Sequence, residues 1–258
     1  MVTRVIGAVG LLVCSGAAAN EVQVVGGETN VVLDTATLSA AASLDLSSVD
    51  GDVLTSEKLE GGVAFPITAR DAGVLPTTFA YEVGNFLGTF SGTIEHAGEV
   101  RFNSDTVVVG DFTIGFDAAR AGTLNGAASG FFVESTAGIQ AILFDVSAPS
   151  TLGATALEAT IGADLLVSPE FGAFLFDNGL SASNLAGADV GDALVHASGG
   201  CTGLDIDDSG GIHLDDIDAF VADFLAGDAR SDFTGDGVLN LDDVQLFVDA
   251  FLDCGGTA

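Results

Sequence analysis

The sequence has no Trp, one Tyr (Tyr81), four Pro and only six Lys and Arg. The scarcity of positive charge excludes most, because 37 Asp and Glu leave a formal net charge of −31. Phosphate recognition needs a basic surface that releases counterions, so an ordinary nucleic-acid binder is ruled out. A polybasic membrane-surface protein is ruled out on the same ground. Missing Trp and a lone Tyr argue against a carbohydrate platform, since sugar faces stack on those rings. No Gly-x-Ser-x-Gly elbow, His-Glu-x-x-His pair, P-loop or helix-opening Gly-x-Gly-x-x-Gly occurs. Yet 48% of the chain is hydrophobic and 18 residues are Phe, which a disordered acidic tail would not contain. At 258 residues the length fits one large domain, or one with a small companion.

Residues 1–19, MVTRVIGAVGLLVCSGAAA, carry Arg4, an apolar stretch from Val5 to Val13 and small residues ending at Ala19. That is the shape of a secretory signal peptide cleaved after Ala19. The run is short for a membrane anchor, and Val13 before Cys14 does not suit a lipoprotein signal. No other stretch is apolar enough to span a bilayer, so the expected localisation is secreted, extracellular or at the cell surface. Removing Cys14 leaves Cys201 and Cys254, an even pair that in an exported chain reads as a disulfide.

Between residues 20 and 200, apolar-alternating runs lie between Gly, Asn, Asp and Ser clusters. They include Val22–Val25, Asn30–Leu33, Val63–Thr68, Thr78–Val83, Gly130–Glu134, Gln140–Val146, Leu157–Val167 and Ala193–Ala197. From Phe86 to Asp117 the alternation is longest, with turns expected at Glu95–Gly98 and Asn103–Asp105 and a bulge or turn at Gly110-Asp111. Period two between turn residues predicts an antiparallel sandwich or jelly roll, with a parallel β-helix second. Two helices are expected, over Thr37–Leu44 and from Pro169 through PEFGAFLF. His96 falls in an expected hairpin turn and His196 in a strand, where a lone His is an ordinary residue and not a ligand. Glu134, Glu158 and Glu170 are the carboxylates that could pair for glycoside hydrolysis. The strings VLDTATLSAA, VAFPIT, FSGTIEHAGEVRFN, TVVVGDFTIGFDAARAG and ADLLVSPEFGAFL resemble those of a group of exported bacterial proteins, which implies a secreted β-fold and no activity.

Residues 201–254 contain a duplication. DIDDSGGIHLDDIDAFVADFL from Asp205 returns as DFTGDGVLNLDDVQLFVDAFL from Asp232, 27 residues later. As twelve-residue loops, the first places Asp205, Asp207 and Ser209 at positions 1, 3 and 5, Gly210 at 6, the Gly211 carbonyl at 7, His213 at 9 and Asp216 at 12. The second places Asp232, Thr234, Asp236, Gly237, the Val238 carbonyl, Asn240 and Asp243 alike. Calcium takes six to eight oxygens, alternate side chains of a tight loop converge inward, and Gly at position 6 permits the reversal. Ile212 and Leu239 at position 8 are expected to pack the loops together. Each loop leads into a helical stripe, Ile217, Phe220, Val221, Phe224, Leu225 and then Val244, Phe247, Val248, Phe251, Leu252, expected to bury one face.

Two loop–helix units without an entering helix, with Asp at position 12, resemble a type I dockerin, an EF-hand-like α-helical module. The resemblance covers about a fifth of the chain. It implies two bound calcium ions and a cohesin-like or cell-surface partner. Ser209 at position 5 and His213 at position 9 depart from the pattern and make the first site the weaker. Leu214-Asp215 and Leu241-Asp242 stand where cohesin-binding members carry small hydroxyl residues. The expected organisation is a signal peptide (1–19), a β-domain (20–200), the calcium module (201–254) and a tail (255–258). The module is expected to fold as a unit of its own only with its metal. The first reading is a non-catalytic exported protein docked through calcium; a recruited polysaccharide hydrolase and a self-assembling β-domain are the alternatives.

Overall fold

A computed structural model describes residues 21–254, so the signal-peptide and tail segments lie outside the described residues. In chain order the elements are β1 (Glu21–Gln23), β2 (Gly26–Leu33), α1 (Thr35–Ala42), β3 (Leu46–Asp50), β4 (Leu54–Thr55), β5 (Val63–Pro66), β6 (Ala80–Glu82) and α2 (Phe86–Thr89). They continue with β7 (Ile94–Phe102), β8 (Val107–Phe116), the one-turn α3 (Thr123–Gly126), β9 (Ala128–Gly138), β10 (Ala141–Ser147), β11 (Thr151–Ala154) and β12 (Glu158–Val167). Then come α4 (Pro169–Asp177), β13 (Asp189–Ser198), α5 (Leu214–Ala226) and α6 (Leu241–Asp253), with short 3-10 turns at Thr202–Leu204 and Ala229–Ser231.

The protein is mainly β, and every strand pair is antiparallel. The expected sandwich of two large sheets is replaced by a single eleven-stranded sheet ordered β3-β7-β8-β9-β10-β12-β13-β2-β5-β4, with β11 added on β12. The antiparallel order also rules out the β-helix alternative. Strand twist accumulates along so many strands, and the sheet curls until the chain after β5 reaches β7. There Ile67 bridges His96, and Thr68 N–H donates to the Glu95 carbonyl at 2.8 Å. The pair β1–β6 forms a separate small sheet.

The curl encloses one apolar cluster, Phe65, Phe102, Val109, Phe112, Leu143 and Leu165 among them, which α1 and α4 cover through Leu38, Ala42, Phe171 and Leu175. Both helices start where a polar cap meets apolar spacing. Asp34 accepts from Thr37 N–H at 2.9 Å, and Ser168 accepts from Phe171 N–H at 2.9 Å with Pro169 filling the first turn. A second cluster lies under β1–β6 and contains Val22, Val24, Phe79, Tyr81, Phe86 and Ile94.

Several local expectations need correction. Phe86–Thr89 is a helical turn and not the start of a strand, because Asn85 and Gly88 break the alternation there. Glu95–Gly98 lies inside β7, so His96 is buried at 2% exposure and not in a surface turn. The turn at Asn103–Asp105 is as expected, with all three residues left-handed. Gly110-Asp111 stays within β8; Asp111 has φ 48°, and the register with β7 shifts between His96 and Glu99, which is a bulge.

Candidate metal centre

Position 12 is wired alike in the two acidic loops. In the first, the Asp216 carboxylate accepts from Asp207 N–H at 3.2 Å and His213 N–H at 2.7 Å. In the second, Asp243 accepts from Thr234 N–H at 3.0 Å and Asn240 N–H at 2.8 Å. Position 12 thus ties positions 3 and 9 in each loop, and both carboxylates are fully buried. Position 1 accepts from position 6 in both loops but takes its other N–H from position 5 in the first and position 4 in the second. Asp205 accepts from Ser209 and Gly210 N–H at 2.9 Å each. Asp232 accepts from Gly235 at 2.9 Å and Gly237 at 2.8 Å. Gly210 and Gly237 have φ 91° and 77°, the conformation for which position 6 needs glycine. At position 4, Gly235 is left-handed and so is Asp208, at φ 55°, a strained choice for a residue with a side chain.

The loops differ in what they gather. Oxygens of Asp205, Asp207 and Asp216 lie within 4.8 Å of one another, a set able to hold a metal ion. His213 closes over this group, with Nδ1 3.2 Å from Ser209 Oγ and 3.7 Å from Asp216 Oδ2. In the second loop Thr234 Oγ1 donates to Asp243 at 2.9 Å, while Asp236 accepts from Val238 N–H at 2.8 Å. The Val238 carbonyl accepts from the Asn240 amide at 3.1 Å. Ser209 holds the Asp207 carboxyl below the usual carboxylate range. Burial pushes Asp243 up, but the N–H groups of Asn240 and Thr234 outweigh it and leave the group low. Burial, then nearby Asp205, push Asp208 up.

The helices after the loops stack ring on ring. Phe220 and Phe247, equivalent residues of the duplication, lie parallel with centroids 4.0 Å apart, and Phe233 meets both edge-on. Cys201 and Cys254 are disulfide-bonded, 5.8 Å apart at Cα, across 53 residues. The stripes do not bury whole. Phe220, Phe247 and Phe251 are interior, whereas Val221, Leu225, Val248 and Leu252 are exposed. The stacked rings occupy one side of each helix, and the rest of each stripe lies outside it.

The interior of this region is also shared with the sheet. Ala156, between β11 and β12, is buried with Leu204, Ile206, Phe220, Phe233 and Phe247, and Val83 and Leu157 pack against them. Thr202 Oγ1 accepts from Gln23 N–H at 3.1 Å and lies 3.2 Å from the Gln23 carbonyl. Tyr81 donates its hydroxyl hydrogen to the Thr155 carbonyl at 2.8 Å, fixing the segment against which the loops rest. The aromatic stripes marked the helices in the sequence. Nothing there marked Ala156 as their cover, because a small residue beside a strand carries no periodic signal.

Arg120 holds the buried Asp145 through Nε at 2.6 Å and Glu170 through Nη1 at 2.8 Å. Hydrogen bonding to Arg120 is the main cause that keeps Glu170 low. Glu134 lies on β9, Glu158 on β12 and Glu170 on α4; among the described residues no hydrogen bond joins any two. His196 sits on β13 with Nδ1 3.3 Å from Thr160 Oγ1.

No protein-family model matches the chain, and no curated protein matches it in sequence. Among solved structures, the C-terminal domain of HtaA from Corynebacterium glutamicum is similar, at TM-score 0.43 and 14% identity, over 68% of this chain and 98% of that one.

Proposed function

We propose that residues 201–254 are a duplicated calcium-binding module of dockerin type and that the module docks an exported, non-catalytic β-rich protein to a partner outside the cell. The observation that carries this reading is the loop wiring built twice, 27 residues apart, with position 12 tied to positions 3 and 9 in both copies. Asp205, Asp207, Ser209, the Gly211 carbonyl and Asp216 hold the first ion. Asp232, Thr234, Asp236, the Val238 carbonyl, Asn240 and Asp243 hold the second. Calcium prefers oxygen, so the imidazole of His213 at position 9 makes the first site the weaker. The disulfide is compatible with an extracellular location, and among the described residues no helix is long and apolar enough to cross a membrane. Docking is supported by exposed apolar residues in matching places, Leu214, Val221 and Leu225 on α5 and Leu241, Val248 and Leu252 on α6. A cohesin-like or cell-surface protein is the partner class that such a surface fits.

Calorimetric titration of the full chain with calcium tests the reading. Two unequal sites are expected, in the range of ~10⁻⁴–10⁻³ M typical of extracellular modules. Asp236→Asn weakens the tighter site and Asp207→Asn the weaker; both residues are exposed, so neither change disturbs the core. Absence of binding, or two equal sites, refutes it.

A further inference from the structure

We propose that the interior of the curled sheet is a binding site for a compact, uncharged, mostly apolar molecule carrying one hydroxyl or N–H donor, anchored by Thr29. The curl encloses a cavity of about 140 Å³, although protein interiors seldom keep voids much larger than a water molecule. Leu38, Phe102, Val109, Leu143 and Leu165 form much of its wall. Its lining extends to Thr35, Leu46 and Gly61, which are exposed, so the space reaches the surface between α1, β3 and the chain before β5. Each of these three is preceded by an exposed carboxylate, Asp34, Asp45 and Glu60. An anionic ligand would be repelled there, and the wall has no carboxylate to pair with a cation.

The anchor follows from hydrogen-bond direction. His96 Nδ1 lies 3.2 Å from the Phe112 carbonyl. A carbonyl only accepts, so Nδ1 carries the ring proton and Nε2 is an acceptor. Thr29 Oγ1, 2.7 Å from Nε2, must therefore donate its one hydrogen to the ring. Both groups line the cavity, and burial, the main influence on His96, keeps its ring neutral. The Thr29 oxygen is left with lone pairs only and has no other partner among the described residues. It accepts a hydrogen bond and cannot give one, so it selects a donor on the ligand.

The full chain titrated calorimetrically with 4-ethylphenol, 4-ethylanisole and 4-ethylbenzoate tests this. The phenol is expected to bind at least tenfold more tightly than its methyl ether, and the benzoate not at all. Thr29→Val should reduce the phenol to the affinity of the ether, Thr29→Ser should keep the preference, and Val31→Phe, which fills the cavity, should abolish both. The proposal is overturned if no probe binds, if phenol and ether bind equally to the unsubstituted protein, or if Val31→Phe leaves binding unchanged. This readout needs no calcium, so it stands or falls apart from the loops.

Discussion

Replacing Gly203 by Ala should loosen residues 201–254 from the sheet, and the structure sets the size of the effect. Gly203 is buried in the 3-10 turn after Cys201. A Cβ built there would sit 1.9 Å from the Ala156 carbonyl oxygen, 2.7 Å from its carbon and 2.9 Å from its Cα. All three atoms are backbone, so no rotamer change relieves the clash. The opposing backbone is also held, since Thr155 Oγ1 accepts from the N–H groups of Leu157 and Glu158 and the Thr155 carbonyl takes the Tyr81 hydrogen bond. Ordinary contact begins at 3.4 Å, so the two backbones must part by more than 1 Å. A gap of that size forfeits about half the dispersion attraction across the contact. Forced insertion into a packed core costs typically ~1–3 kcal/mol, and the upper half of that range is expected here because nothing yields. Gly153→Ala is the control, since a Cβ there meets nothing within 4 Å. Urea unfolding of both variants, followed by circular dichroism with the disulfide intact, should show Gly203→Ala less stable by about 2–3 kcal/mol and Gly153→Ala close to the parent. Equal stability of the two variants would refute the shared core.

Two further outcomes concern His96 and the disulfide. Burial lowers the pKa of His96 from 6.5 to about 4 in the folded chain, so between those values only the unfolded chain takes up its proton. Stability from this residue is present above pH 6.5 and is lost as pH falls towards 4, about 3 kcal/mol in all. Urea melts at pH 7 and pH 4.5 should show a steeper loss for the parent than for His96→Gln; parallel losses would show that His96 does not titrate this way. Replacing Cys201 and Cys254 together by Ser should lower stability by up to about 4 kcal/mol, the chain-entropy value for a closed loop of this length, with urea midpoints as the measure. A change within error would mean that the ends of the duplication are held by packing alone.

What could be read from the sequence follows how each interaction is encoded. β12, β13 and α4 declare themselves through period-two or capped patterns over consecutive residues. The duplicated acidic loops do so through fixed spacing, Asp at positions 1 and 12 with Gly at 6. Curling leaves no such mark, because alternation records which face of a strand is buried and not which strands become neighbours. His96 shows the consequence. In TIEHAGEV it reads as part of a polar turn, yet β7 continues through it and the curl lays Thr29 of β2 against its ring. A buried polar pair far apart in sequence has no local signature.

The shared interior also changes what metal removal should do. Had residues 201–254 owned their core, stripping the ions would leave the sheet untouched, as expected for a tethered module. Their core instead includes Ala156, with Val83 and Leu157 packed against it, and Thr202 is joined to β1, which pairs with β6 over the Tyr81 cluster. Free energy gained by ordering the loops therefore reaches the β1–β6 sheet through packing and hydrogen bonds that already exist. Hydrogen exchange of the full chain with calcium and with chelator is the direct measure. Protection should fall in α5 and α6 and also at Glu21–Gln23 and Ala80–Glu82, while β3, at the far edge of the sheet, keeps its own. If the loss stops at residue 201, the contacts with Ala156 carry no coupling and the two parts are merely adjacent.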